Sequence, residues 1–386
     1  MKKVLCFAAA ALTLFAACQK TTVVYDNSEP QEIAVFAVNK TATKAPVADA
    51  DFPDDYDMQV AAYLASGGIG TESGDYFDGT LFTKGNGDVW TGGKYWPMSD
   101  ATLNFLAVAV PPASSYTGTA EVVFGEGTTR SNFVQKAVVT FANNQTVAAN
   151  YNQFDLMYAA GSQSHTEGEI YNNVEMTFKH ALSWIKFTVA TNLKNKDAND
   201  NTFSMKVNSI RLSGASYGGT LTISTTAELT GDLANATYSP VWTNWSSAVD
   251  NVYVPNTDGD DKAEAVSELS KYEATPTAKP FGNGLLVVPC DYNDAADDDL
   301  PKITINYTMN QGDGEYTFER TVTIPAIEWE CNKIYTYALN INLTEISVAP
   351  TVDEWTSHDN DGENGENNDI PVDMDPEPET PAEPAS

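Results

Sequence analysis

Positive charge is scarce in this chain. Its 386 residues include 21 lysines and arginines against 53 aspartates and glutamates, a formal net charge of −32 at pH 7. A surface of that sign repels phosphate backbones and anionic headgroups, which argues against nucleic acid as a partner and against electrostatic docking to a membrane. Histidine is scarcer still, with His165, His180 and His358 far apart in the sequence. Of the four cysteines, Cys6 and Cys18 fall in the first eighteen residues, leaving only Cys290 and Cys331 in the body. There is no Cys-x-x-Cys and no histidine pair at ligand spacing, so neither a zinc site nor a Cys/His nucleophile has a basis, and no cofactor is expected. The chain also lacks a Gly-x-Ser-x-Gly elbow, a His-Glu-x-x-His pair and a nucleotide-binding glycine pattern. Ser66-Gly67-Gly68-Ile69-Gly70 has no Lys-Ser/Thr ending and reads as a turn. Carboxylates are so abundant that acidic pairs of the glycoside-cleaving kind arise by chance. The expectation is a protein that is not an enzyme.

Long hydrophobic runs are missing, except at the start. Met1-Lys2-Lys3 is followed by an apolar stretch from Val4 to Leu14 and then by Phe15-Ala16-Ala17-Cys18. The stretch has the length of a signal-peptide core and is too short to span a bilayer comfortably. Charge, length, small residues and cysteine in this order resemble a bacterial lipoprotein signal, residues 1–18. Cleavage is expected between Ala17 and Cys18, with lipid on Cys18. The mature protein would lie outside the cytoplasm, held at a membrane by acyl chains. Residues 19–32 read as a polar spacer.

Long amphipathic helices are missing as well. What remains is a succession of short apolar or alternating runs separated by Gly, Asn, Asp and Pro, the pattern of an all-β, sandwich-type protein. Ile33–Val38 is apolar at every position, as in a strand buried on both faces. Ile303, Ile305, Tyr307 and Met309 alternate, turn at Gln311-Gly312-Asp313-Gly314, and return through Tyr316, Phe318, Val322 and Ile324, which predicts a hairpin. In Val174–Val189 the apolar set changes parity between Ala181 and Trp184, which predicts a bulge, a kink or a change of sheet. His180 carries the parity of the first apolar set and reads as a core or corner residue. A second parity change, between Leu343 and Ile346, predicts a bulge near Thr344-Glu345. The polar stretch Gly161–Gly168 is the expected domain boundary, giving sandwiches over 33–168 and 169–357; one sandwich with large insertions is the alternative. Residues 358–386 are acidic and Pro-rich with almost no large apolar side chain, and are expected to be disordered. Cys290 and Cys331 can pair in an oxidising compartment, or can be two separate small buried residues. Trp242 and Trp245, with Trp90 and Trp96, read either as core residues or as aromatic platforms for sugars.

Several stretches, taken in order, resemble the fimbrillin family, the lipoprotein-derived pilins of type V fimbriae in Gram-negative bacteria. They are the signal ending at Cys18 with a strand and Ala42-Thr43-Lys44-Ala45-Pro46 after it, Tyr95-Trp96-Pro97-Met98 leading into Leu103–Ala107, Phe178–Phe187, and Trp329–Tyr337 running on to Trp355. Cys331 stands where the family pattern leads one to expect glycine. The resemblance implies two tandem transthyretin-like sandwiches, export as a lipoprotein to the outer membrane and cell surface, and a structural role in a fimbria as stalk, tip or anchor. It implies cleavage by a trypsin-like protease after a basic residue past the first strand, followed by donor-strand exchange with other pilin subunits. Lys44-Ala45 is the expected cut, with Lys40 as the competing position. Adhesion to a host or bacterial surface ligand would follow. The alternative is a non-polymerising surface lipoprotein that binds glycans through exposed aromatics.

Overall fold

A computed structural model describes residues 30–37, 52, 56–67, 75–85, 89–110, 118–126, 134–143, 153–166, 173–191, 203–225, 238–246, 252–254, 264–265, 278–311, 314–342 and 346–355. The regular elements among them are all β-strands, as the alternating sequence predicts. Ala17, Cys18, Lys40, Lys44, Ala45 and the acidic tail lie outside the described residues.

The first half of the chain builds an eight-stranded sheet. Its order is Lys179–His180, Met157–His165, Ala101–Val110, Asp57–Gly67, Asp75–Lys84, Trp90–Tyr95, Glu32–Ala37 and Val174–Met176. A four-stranded sheet of Tyr238–Thr243, Gly218–Thr225, Val134–Ala142 and Thr119–Glu126 contributes to the same core. Alternation explains why: Val139, Phe141, Leu221 and Ile223 point inward and are buried with Val60, Leu103 and Phe105, while Val138 and Thr222 between them stay half-exposed. A second core joins two further sheets. One runs Lys279–Pro280, Ser183–Ala190, Lys333–Ile341, Ile346–Glu354, with Leu285–Val287 also on Ser183–Ala190; the other runs Val252–Tyr253, Phe203–Ser213, Lys302–Gln311, Gly314–Thr323, with Glu264–Ala265 also on Phe203–Ser213. Ile185, Phe187, Ile210, Leu212, Ile303, Ile305, Tyr337 and Leu339 fill the space between them.

The hairpin over residues 302–323 is present, with Gln311 opposite Gly314. The parity change after Ala181 is a change of sheet. Val174, Met176 and Phe178 belong to the first core; Ile185, Phe187 and Val189 belong to the second.

Three expectations are corrected. The parity change near Thr344-Glu345 is a chain reversal instead of a bulge: Ile341 pairs with Ile346, and Ile346–Glu354 returns antiparallel along Lys333–Ile341. The boundary placed at Gly161–Gly168 does not separate the sheets. Gly161 lies within Met157–His165, Val174–Met176 pairs with Glu32–Ala37, and Gly218–Thr225 pairs with Val134–Ala142. The polarity of that stretch reflects half-exposed positions, where Thr102 and Ser164 hydroxyls bond across the strands at 2.9 Å. Finally, the first strand is buried on one face only: Ile33, Val35 and Ala37 are buried, Ala34 and Phe36 half-buried.

Candidate assembly site

Glu32–Ala37 does not end its sheet. On one side it pairs antiparallel with Trp90–Tyr95, Glu32 opposite Tyr95 and Val35 opposite Trp90, with an irregularity between Glu32 and Ala34. On the other it pairs parallel with Val174–Met176, Val35 opposite Val174 and Ala37 opposite Met176. The entry to the slot is fixed by Trp96, whose N–H donates to the Gln31 carbonyl at 2.9 Å, and by Gly93, whose N–H donates to Glu32 Oε1 at 3.0 Å. Gly93 has a φ of +65°, a conformation glycine adopts without strain.

The floor of the slot is aromatic. Trp90 meets Phe52 edge-on with ring centroids 5.2 Å apart, and Phe52 meets Phe178 at 4.2 Å. Trp90 Nε1 donates to the Tyr56 carbonyl at 2.9 Å, so the indole is both buried and satisfied. Taking the first strand away would uncover Ile33, Val35 and Ala37 contacts in this core. It would also leave unpaired N–H and C=O groups along Trp90–Tyr95 and Val174–Met176, an arrangement that recruits another strand.

At the other end of the chain, Ile346–Glu354 lies at the edge of its sheet. None of its side chains is fully buried. Ile346 and Val348 pack on the second core from its rim, and Lys333 and Glu354 pair at the strand's end.

The remaining candidates separate clearly. His180 has a partner: its Nδ1 lies 2.8 Å from Asp155 Oδ2, both side chains being buried. Its ring lies flat on Trp355, centroids 3.6 Å apart and planes 3° apart. Neither Asp155 nor Trp355 is adjacent in sequence, so only the lone core histidine was legible, not its partners. Among the described residues no group of His, Cys, Asp and Glu is arranged to hold a metal ion. Cys290 and Cys331 are free thiols packed against different cores, so the disulfide considered between them is not formed. Burial pushes both thiols up, that of Cys331 to about 12, so neither is a thiolate at neutral pH. The tryptophans do not form a platform. Trp90, Trp96 and Trp242 are buried, and Trp242 Nε1 donates to the Ala181 carbonyl at 2.8 Å. Trp245 alone of the four is open, 48% exposed, with Nε1 donating to the Pro289 carbonyl at 3.1 Å.

These features define an all-β protein whose first strand completes a sheet from within and whose last described strand occupies an edge. The fimbrillin-like family model matches residues 21–355, and the chain belongs to that family. Among solved structures, a fimbrial protein from Bacteroides vulgatus shares 15% identity with a TM-score of 0.50, covering 84% of this chain and 100% of its own. A fimbrial assembly protein from Parabacteroides distasonis shares 11% identity with a TM-score of 0.30, covering 84% of this chain and 96% of its own. No curated protein matches.

Proposed function

We propose that the protein is a structural, non-catalytic subunit of a cell-surface fimbria, exported as an outer-membrane lipoprotein on Cys18 and joined to its neighbours by strand exchange. The observation that carries this reading is the position of Glu32–Ala37, hydrogen-bonded along both edges and buried on one face at the start of the fold. Lys44 follows it within a few residues, so a cut at Lys44-Ala45 removes the strand and leaves a slot of defined width and parity. Membership of the fimbrillin-like family and the fold shared with a fimbrial protein support the same role. The reading takes the two cores as two tandem transthyretin-like sandwiches, with Val174–Met176, Lys179–His180, Gly218–Thr225 and Tyr238–Thr243 crossing back to the first. The incoming strand has a natural source in Ile346–Glu354 of the next subunit: Ile346 and Val348 repeat the spacing of Ile33 and Val35. The acidic tail after it has few large apolar side chains, Ile370, Val372 and Met374 among many carboxylates and prolines, to offer such a slot. Adhesion to a host or bacterial ligand is the fibre's task in this reading.

The test is electron microscopy of cells expressing the wild-type chain or Lys44→Ala. Fibres on wild-type cells and bare surfaces with Lys44→Ala are the expected pair of images. Fibres of equal length in both would remove Lys44 from the assembly step.

A further inference from the structure

Ile346–Glu354 is paired along its length with Lys333–Ile341, but it contributes no fully buried side chain. The next residue does. Trp355 is 4% exposed and belongs to the first core, although its strand runs along the rim of the second. Its indole covers the His180 imidazole and is tilted against Trp184, with centroids 5.2 Å apart.

The surroundings fix that indole from several directions. His180 is anchored by Asp155 through Nδ1, and the other carboxylate oxygen of Asp155 is buried with no hydrogen-bond partner among the described residues. The His180 backbone N–H donates to Asn332 Oδ1 at 3.3 Å. Asn332 sits in the left-handed region with φ 61°, donates its N–H to the Leu182 carbonyl at 3.2 Å, and accepts the Trp355 N–H at 3.0 Å. Trp355 is therefore held through its ring, by His180 and Trp184, and through its backbone, by Asn332 in the turn before Lys333–Ile341.

We propose that Trp355, seated on His180 and Asp155, is a clasp that keeps Ile346–Glu354 in its own sheet, so that withdrawing this indole frees the strand while both cores stay folded. Besides the ladder to Lys333–Ile341 and the half-buried packing of Ile346 and Val348, the strand has no buried side chain to hold it. Asn332 couples the clasp to the turn before Lys333–Ile341, so the anchor and the strand's own ladder are set by the same residues. The use of a freed strand in assembly rests on the strand-exchange reading above; the clasp itself does not.

The test is hydrogen–deuterium exchange with mass spectrometry on the purified monomeric chain, comparing wild type with Trp355→Ala and Trp355→Phe. Amides of residues 346–354 are expected to exchange about a hundredfold faster in Trp355→Ala, the scale of losing a buried aromatic. Trp355→Phe should fall between, and residues 101–110 of the first core and 302–311 of the second should keep their protection in both. Unchanged exchange over 346–354 would overturn the clasp. Equal acceleration in the reference strands would overturn it too, since Trp355 would then act as an ordinary core residue. Because the measurement is made on the monomer, its outcome does not depend on whether subunits assemble.

Discussion

Burial keeps several weak acids of this molecule protonated. The Cys331 thiol is pushed up to about 12, and the phenols of Tyr158, Tyr217, Tyr292, Tyr335 and Tyr337 are raised well above their ordinary value, in each case chiefly by desolvation. Such groups hold their protons longer in the folded than in the unfolded chain. Their contribution is fully present below the unfolded values, about 8.5 for a thiol and about 10 for a phenol, and is lost as pH rises towards the folded ones. Stability measured by urea unfolding should therefore be insensitive to these groups up to about pH 8.5 and fall steeply above about pH 10. Phenolate absorbance of the buried tyrosines should appear with unfolding; its appearance at the ordinary phenol pH in a folded protein would contradict their burial. At this scale the sequence is partly legible. Alternation alone puts Tyr335, Tyr337 and Leu339 in the core, and a lone histidine in an apolar row reads correctly as a core residue. The Asp155 and Trp355 partners of His180 are not legible, because register between distant strands brings them together and nothing local encodes it.

Among elements, the first strand carries the proposed function. Its inward residues are fully buried, so Ile33→Ala should cost the uncut chain about 2–5 kcal/mol in chemical denaturation. The same substitution should leave a chain processed at Lys44 unaffected, because the strand has gone; an equal loss in both forms would show that the strand is retained. The hairpin over 302–323 is readable because Gly312 and Gly314 mark the turn inside two alternating runs. The reversal between Ile341 and Ile346 is not, because a bulge and a short turn both change the parity of the apolar set, and Leu343-Thr344-Glu345 carries no glycine or proline to tell them apart. The first strand's continuous apolar run overstated its burial for a related reason: alanine at position 34 is apolar but small, and is compatible with a half-exposed face as well as a core.

In the whole molecule, pairing crosses the polar stretch at 161–168, and the later chain returns to complete the first core with Val174–Met176, Gly218–Thr225 and Tyr238–Thr243. Composition reports exposure, not partnership, so a polar segment at a sheet rim looks the same as a linker. The all-β architecture was legible in outline from the succession of short strands; which strand closes which core was not. In the proposed assembly it is the first strand that is replaced; its two neighbours, Trp90–Tyr95 and Val174–Met176, come from positions far apart in the chain. On that proposal the strand is a temporary occupant of its slot. Mass spectrometry of the N-terminus of protein extracted from the cell surface tests it most directly. Chains beginning at Ala45 are expected; if all chains begin at lipidated Cys18, the strand stays in its slot and the proposed exchange does not occur.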